Sequence, residues 1–265
     1  MKIGFIGAGN MARAIIEGLI KADFVTAKEI LVHSARKTSY EPYAKENGLT
    51  ALDSNDQVVS EADIVFLAVK PIVLAKVLAE IKSSVRQHAP VLVSIVSGVS
   101  ISEIETELDN QSVSILRTMP NVNATVSESM TALVGNDALT EKQMKQGTDL
   151  FDTIGETMQV AEHDFSTFVA LAGSSPAFIY LFIDTLARAG VKYGLAKDEA
   201  TKIAAQAVLG SAKKVLSTND VPWKLIDEVS SPGGTTVAGL LAMEEAGFMN
   251  SIIKAVDATI AKDQN

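Results

Sequence analysis

Apolar positions in the first half of the chain fall into short runs separated by stretches of helical periodicity. Residues 2–6, 29–33, 64–69, 91–95 and 113–116 are short, mainly apolar runs, the form of strands buried on both faces of a sheet. Between them, residues 11–21, a segment around 40–47, 72–81 and 102–108 repeat their apolar side chains every three to four positions, as helices do. Residues 131–134 offer a further edge strand, and 140–151 read as a helix with Thr140 at its N-cap. This alternation predicts a parallel sheet with helices on both faces.

Near residue 160 the pattern changes. From about Phe165 onward strand-like alternation stops, and helical patterns follow one another at 176–193, 197–217, 223–229, 235–246 and 247–262. Lys197-Asp198-Glu199 place two carboxylates at a helix start, and Gly190 and Gly194 stand near a helix end. Residues 178–183 and 204–209 are apolar on more than one helical face. About 100 residues struggle to bury so much surface alone, so dimerisation through the helical half is expected. No low-complexity tract or internal repeat interrupts the chain.

The glycines sharpen the first half. Ile6 ends the first strand, and Gly7-Ala8-Gly9-Asn10-Met11-Ala12 opens the next helix. This is G-x-G-x-x-A: a tight turn, a close approach of backbone to pyrophosphate, and a small residue where helix meets strand. Free N–H groups at the helix start then face the phosphates of NAD(P). The fold class expected is α/β: a Rossmann-type doubly wound sheet over residues 1–160, followed by an all-helical dimerisation domain over 161–265.

The end of the second strand bears on the choice of dinucleotide. NAD sites ordinarily place a carboxylate there for the ribose 2′-hydroxyl; this chain reads Val32-His33-Ser34-Ala35-Arg36-Lys37. Ser34 can donate to a 2′-phosphate, and Arg36 and Lys37 bring charge. NADPH is the expected cofactor, with NADH weaker. Ala68-Val69-Lys70-Pro71 ends another strand at the edge where such sheets bind ligands, with Pro71 suited to a first helical position.

Composition removes other classes. There is no cysteine, which excludes disulfides, thiolate metal sites and cysteine catalysis and suits a reducing cytoplasm. No metal site is expected. A net charge of −9 argues against nucleic acid as partner. The apolar start is broken at once by glycines, Asn10 and Arg13, unlike a signal peptide. No apolar run approaches the roughly 18 residues of a membrane span, so no membrane partner is expected.

Towards the C-terminus, Ser230-Ser231-Pro232-Gly233-Gly234-Thr235-Thr236 precedes a helical pattern. Two glycines and several hydroxyls at a helix start suit a small anion, although a capped turn uses some of the same residues. The region from Leu225 to Glu244 resembles the signature of the pyrroline-5-carboxylate reductase family. So do the N-terminal Gly-Phe-Ile-Gly-Ala-Gly-Asn-Met-Ala, Ala-Val-Lys-Pro, Arg117-Thr118-Met119-Pro120-Asn121 and Ala172-Gly173-Ser174-Ser175-Pro176-Ala177, in the same order.

The resemblance implies NADPH-dependent reduction of 1-pyrroline-5-carboxylate to L-proline, the last step of proline biosynthesis. It also implies a cytoplasmic homodimer whose dimers assemble into decamers. It would place the substrate carboxylate on Ser231, Gly234 and Thr235, beside Gly233, with Thr236 on the ring nitrogen as the catalytic group. Glu162 would lie near the substrate. Asn55, Ser34, Arg36, Ala68 to Pro71 and Ser97 would contact the cofactor. Relatives often carry Ser-Gly-Ser-Gly-Pro where this chain has Ala172-Gly173-Ser174-Ser175-Pro176, and an Asn-Arg type turn where it has His33 to Arg36. Two alternatives share the layout: a reductase of a related cyclic imine, and a β-hydroxyacid-type dehydrogenase. The latter uses a helix lysine, which Gly173 to Tyr180 lacks.

Overall fold

The computed structural model describes residues 1–264; Asn265, the last residue of the expected helical domain, lies outside them. Two compact units emerge, Met1–Gly173 with the chain end from Asp263, and Ser174–Lys262.

In the first unit, eight strands form one sheet in the order β3-β2-β1-β4-β5-β6-β7-β8. They are β1 (Ile3–Ile6), β2 (Ile30–His33), β3 (Thr50–Ala51), β4 (Ile64–Leu67), β5 (Val91–Ser94), β6 (Ile115–Met119), β7 (Ser129–Gly135) and β8 (Gly155–Gln159). All neighbours are parallel except β6 and β7. The helices are α1 (Asn10–Lys21), α2 (Lys37–Asn47), α3 (Asn55–Glu61), α4 (Pro71–His88), α5 (Ile101–Leu108), α6 (Glu141–Phe151) and α7 (Phe165–Phe168). This is the doubly wound Rossmann-type arrangement expected.

Strand side chains divide between two cores by simple alternation. Ile3, Phe5, Ile30, Val32, Ile64 and Phe66 enter one core with α1, α2 and α6; Ile6, Leu31, Val65 and Leu67 enter the other with α3, α4 and α5. Phe5 stacks on Phe66 with ring centres 4.5 Å apart, and Phe66 meets Phe151 at 5.9 Å. Gly4 faces α3, where a Cβ would come 2.5 Å from Val58 Cγ1.

The helices from the sequence pattern are present, with α4 running on to His88 and Thr140 capping α6 through its hydroxyl, which accepts from Gln143 N–H. Four of these elements were not anticipated: β3, α3, β8 and α7. The strand expected at 113–116 lies at Ile115–Met119 instead. Arg117 and Thr118 are buried within it, and polar residues hide a strand from a reading of apolar runs.

The second unit is helical: α8 (Ser175–Lys192), α9 (Lys197–Leu216), α10 (Pro222–Glu228), α11 (Thr235–Glu245) and α12 (Phe248–Asp263). α8 and α9 form a hairpin so close that a Cβ on Gly190 would meet Ala200 Cβ at 3.0 Å. Asp184 on α8 pairs with Lys197 on α9 at 2.6 Å, and Phe182 meets Phe248 of α12 at 6.1 Å. Only Pro176, Ala187, Ala200 and Ala204 of these helices are buried.

The expectation of no membrane partner is left open by one segment. Glu162–Lys192 is helical over 31 residues and, by length and composition, apolar enough to cross a membrane.

Candidate functional site

The carboxyl ends of β1, β2, β4 and β5 share one sheet edge. At the centre, Gly7 has φ +105°, and a Cβ there would lie 2.3 Å from the Ala68 carbonyl oxygen. Only glycine fits. Its N–H donates to the His33 carbonyl at 2.8 Å, tying the turn to β2. Gly9 is the N-cap of α1, and a Cβ on it would meet nothing within 4 Å. The first bond of this helix turn runs from Arg13 N–H to Gly9 O, so the amides of Asn10, Met11 and Ala12 head the helix without helical acceptors. Open space before three amides and a positive helix end fits a dinucleotide pyrophosphate. Ile6 and Ala12 are buried behind it.

Arg13 was missed by sequence reasoning. Its Nε donates to Ala8 O at 3.1 Å and its guanidinium lies 4.3 Å from the Tyr43 ring centre, which staples the glycine turn to α2. A lone cation in an otherwise apolar helix start was the available signal.

Beyond β2, Ser34 is half-buried, and Arg36 is exposed at the N-cap of α2 with no ion pair among the described residues. Lys37 is engaged elsewhere. Its Nζ lies 2.6 Å from Asp53, which holds the ammonium pKa above and the Asp53 pKa below their ordinary values. Asn55 opens α3, with its side chain held between His33 Nδ1 at 2.7 Å and Glu80 Oε2 at 2.9 Å.

Ala68 N–H donates to Ile6 O at 2.9 Å, which brings the end of β4 against the glycine turn. Ala68 and Val69 are half-buried; Lys70 is the N-cap of α4 and Pro71 its first residue, both exposed. Ser97 is exposed in the turn after β5. The expected cofactor residues thus gather on one edge.

Glu162 has a different setting. Its Oε1 accepts from Arg117 Nη1 at 2.7 Å and from Ile101 N–H, the first of α5, at 2.8 Å. The Arg117 guanidinium lies over the Phe165 ring at 4.4 Å. Nearby, Asn121 Nδ2 donates to Ala172 O at 3.0 Å, within a π-helical turn at Val169–Gly173.

Ser231, Gly233, Gly234, Thr235 and Thr236, expected with Glu162 at the substrate, lie in the second unit at the start of α11. Gly233 is left-handed, with φ +70°. Gly234 N–H closes the turn on Ser231 O at 2.9 Å, and a Cβ on Gly234 would crowd that oxygen equally closely. The first bond after it is Ala238 N–H to Gly234 O, so the amides at the head of the helix are those of Thr235, Thr236 and Val237. Thr235, Thr236 and Ser231 are exposed, and the Ser230 hydroxyl is buried without a partner.

Comparison with known proteins covers both units. Residues 162–265 match the family model of pyrroline-5-carboxylate reductase dimerisation, and residues 2–98 match one described as NADP oxidoreductase, coenzyme F420-dependent. A pyrroline-5-carboxylate reductase of Escherichia coli K12 is 38% identical, over 99% of this chain and 97% of the relative. The solved 1-pyrroline-5-carboxylate reductase of Streptococcus pyogenes is 38% identical with a TM-score of 0.89, covering 100% and 98% of the two chains. The pyrroline carboxylate reductase of Plasmodium falciparum, solved with NADP bound, is 29% identical with a TM-score of 0.89, covering 100% and 97%.

Proposed function

The chain belongs to the pyrroline-5-carboxylate reductase family, and from that premise we propose which of its residues carry the reaction. The enzyme reduces 1-pyrroline-5-carboxylate to L-proline with NADPH, the last step of proline biosynthesis, and it is a homo-oligomer. We assign residues 1–160 to the cofactor and 161–265 to dimerisation and substrate, in a cytoplasmic enzyme whose dimers build a decamer.

The cofactor, when bound, supplies the hydride for the imine carbon. Ile6 to Met11 hold its pyrophosphate on the amides of α1, Ser34 and Arg36 take the 2′-phosphate, and Asn55, Ala68 to Pro71 and Ser97 line the remainder. The substrate carboxylate rests on the Ser231 hydroxyl and the α11 amides, Gly233 and Gly234 giving the turn its shape. Gly234 N–H is already engaged, which puts more of that duty on Thr235. Thr236 would hydrogen-bond the ring nitrogen and relay to it a proton taken from water, so that one hydride and one proton convert C=N to CH–NH. Glu162, paired with Arg117, is assigned to the substrate by the family resemblance.

The observation that supports this reading is the start of α11, where the exposed residues Ser231, Thr235 and Thr236 flank the amides of residues 235–237, which have no acceptor within the helix. The test is steady-state kinetics of Thr236→Ala and Thr236→Ser. The alanine variant is expected to lose about tenfold to a hundredfold in kcat, with KM for NADPH within about twofold, and serine to restore most of it. Unchanged turnover in the alanine variant removes Thr236 from the mechanism.

A further inference from the structure

The last residue of β2 is a histidine, and its surroundings define the state of the ring. Asn55 is held at both ends: Nδ2 by Glu80 Oε2 at 2.9 Å and Oδ1 by His33 Nδ1 at 2.7 Å. A carboxylate only accepts, so the amide turns its NH₂ towards Glu80 and its oxygen towards the imidazole. That oxygen also only accepts. Nδ1 of His33 therefore carries a proton whether the ring is neutral or charged. The other nitrogen, Nε2, makes no hydrogen bond among the described residues. It is a bare acceptor in the neutral ring and a charged donor in the protonated one.

The position gives this chemistry a use. His33 immediately precedes Ser34 and stands three residues before Arg36, and its own carbonyl receives the Gly7 N–H of the pyrophosphate turn. In dinucleotide folds this strand end usually carries a carboxylate that accepts from the ribose 2′-hydroxyl. Neutral imidazole accepts in the same way; imidazolium donates and attracts a phosphate.

We propose that His33 reads the ribose 2′-position, its neutral form accepting from a 2′-hydroxyl and its protonated form donating to a 2′-phosphate. The preference between the two dinucleotides then depends on pH. Other titratable groups stand around the ring. α2 presents Tyr40, edge-on at 5.4 Å. The turn after β3 presents Asp53, whose charge Lys37 balances at 2.6 Å. α4 presents Glu80 behind Asn55, and the turn after β2 carries Arg36. The inference rests on the dinucleotide reading of this sheet edge.

The test uses the full chain, which has only three histidines, His33, His88 and His163. Imidazole NMR titrations are recorded without nucleotide, with NADP⁺ and with NAD⁺, the His33 signal being assigned by its loss in His33→Gln. NADP⁺ is expected to raise the His33 midpoint by about one unit, and NAD⁺ not to raise it. In kinetics, the ratio of kcat/KM for NADPH to that for NADH is expected to fall about tenfold more from pH 6 to 8.5 in the parent than in His33→Gln. The variant corrects for the titration of the 2′-phosphate itself, near pH 6. Equal midpoints with both nucleotides, or superimposable ratio profiles, overturn the proposal. Failure to bind either nucleotide sinks the underlying dinucleotide reading, and the proposal with it.

Discussion

Tyr43 shows how a single side chain is shaped by its setting. Its hydroxyl is buried without an acceptor, and burial first, then the charge of Glu17, pushes its pKa up to about 12 against the opposing pull of Arg13. The ring serves Arg13, which rests on its face. Tyr43→Phe keeps that face and removes the stranded hydroxyl, so stability at pH 7 should be unchanged or higher by up to about 1 kcal/mol in urea unfolding. A raised folded pKa favours the neutral form, so Tyr43 contributes stability that is lost as pH rises from 10.0, its unperturbed value, to about 12. The phenylalanine variant should lack that alkaline component; a loss of more than about 1 kcal/mol at pH 7 would mean the hydroxyl has a partner. At this scale the turn at Gly7 and the helix start at Gly9 were legible because the glycine spacing sets both locally. Arg13 and the His33–Asn55–Glu80 chain were not, since their partners lie up to 30 residues away along the chain.

Among elements, the π-helical turn at Val169–Gly173 has the clearest physical cause. The Ala172 carbonyl would look four residues on for a donor, but residue 176 is proline and has no N–H. Asn121 supplies the donor from another element at 3.0 Å while its Oδ1 accepts from Asn123 N–H at 2.9 Å. Asn121→Ala strands both groups and should lower stability by about 1–3 kcal/mol in chemical denaturation; an unchanged midpoint would show that water replaces the amide without loss. The unanticipated elements share a reason for being illegible. β8 reads Gly-Glu-Thr-Met-Gln and has no apolar alternation. It forms because Gly155, with φ +146°, lets backbone pass where a Cβ would meet Ser129 O at 2.1 Å. α3 buries only Val58 and Val59 over its seven residues, too short a stripe for periodicity to show. By contrast, α1 and α6 alternate strongly and were readable.

At the scale of the whole molecule, the two units differ in how much they can bury. The sheet unit encloses Tyr40, Phe5, Phe66, Phe151 and many aliphatics completely. In the helical unit, Leu181, Leu216, Trp223 and Ile253 remain more than half exposed, and α10, α11 and α12 bury no residue fully. That excess was legible in the sequence as helices apolar on more than one face, and the family's dimerisation match accounts for it. Leu181→Glu should shift the protein towards monomer in analytical ultracentrifugation, and a wild-type sedimentation profile would place Leu181 outside the interface. The bareness of the second unit also bears on time. A chain that carries one finished core and one unfinished core cannot complete folding by itself, so refolding after dilution from denaturant should separate into two phases. The first, in which the sheet closes, should have a rate independent of protein concentration, and the second should accelerate in proportion to it. Until that encounter the newly made chain exposes a greasy helical surface, and the concentration of its own copies sets how long the exposure lasts.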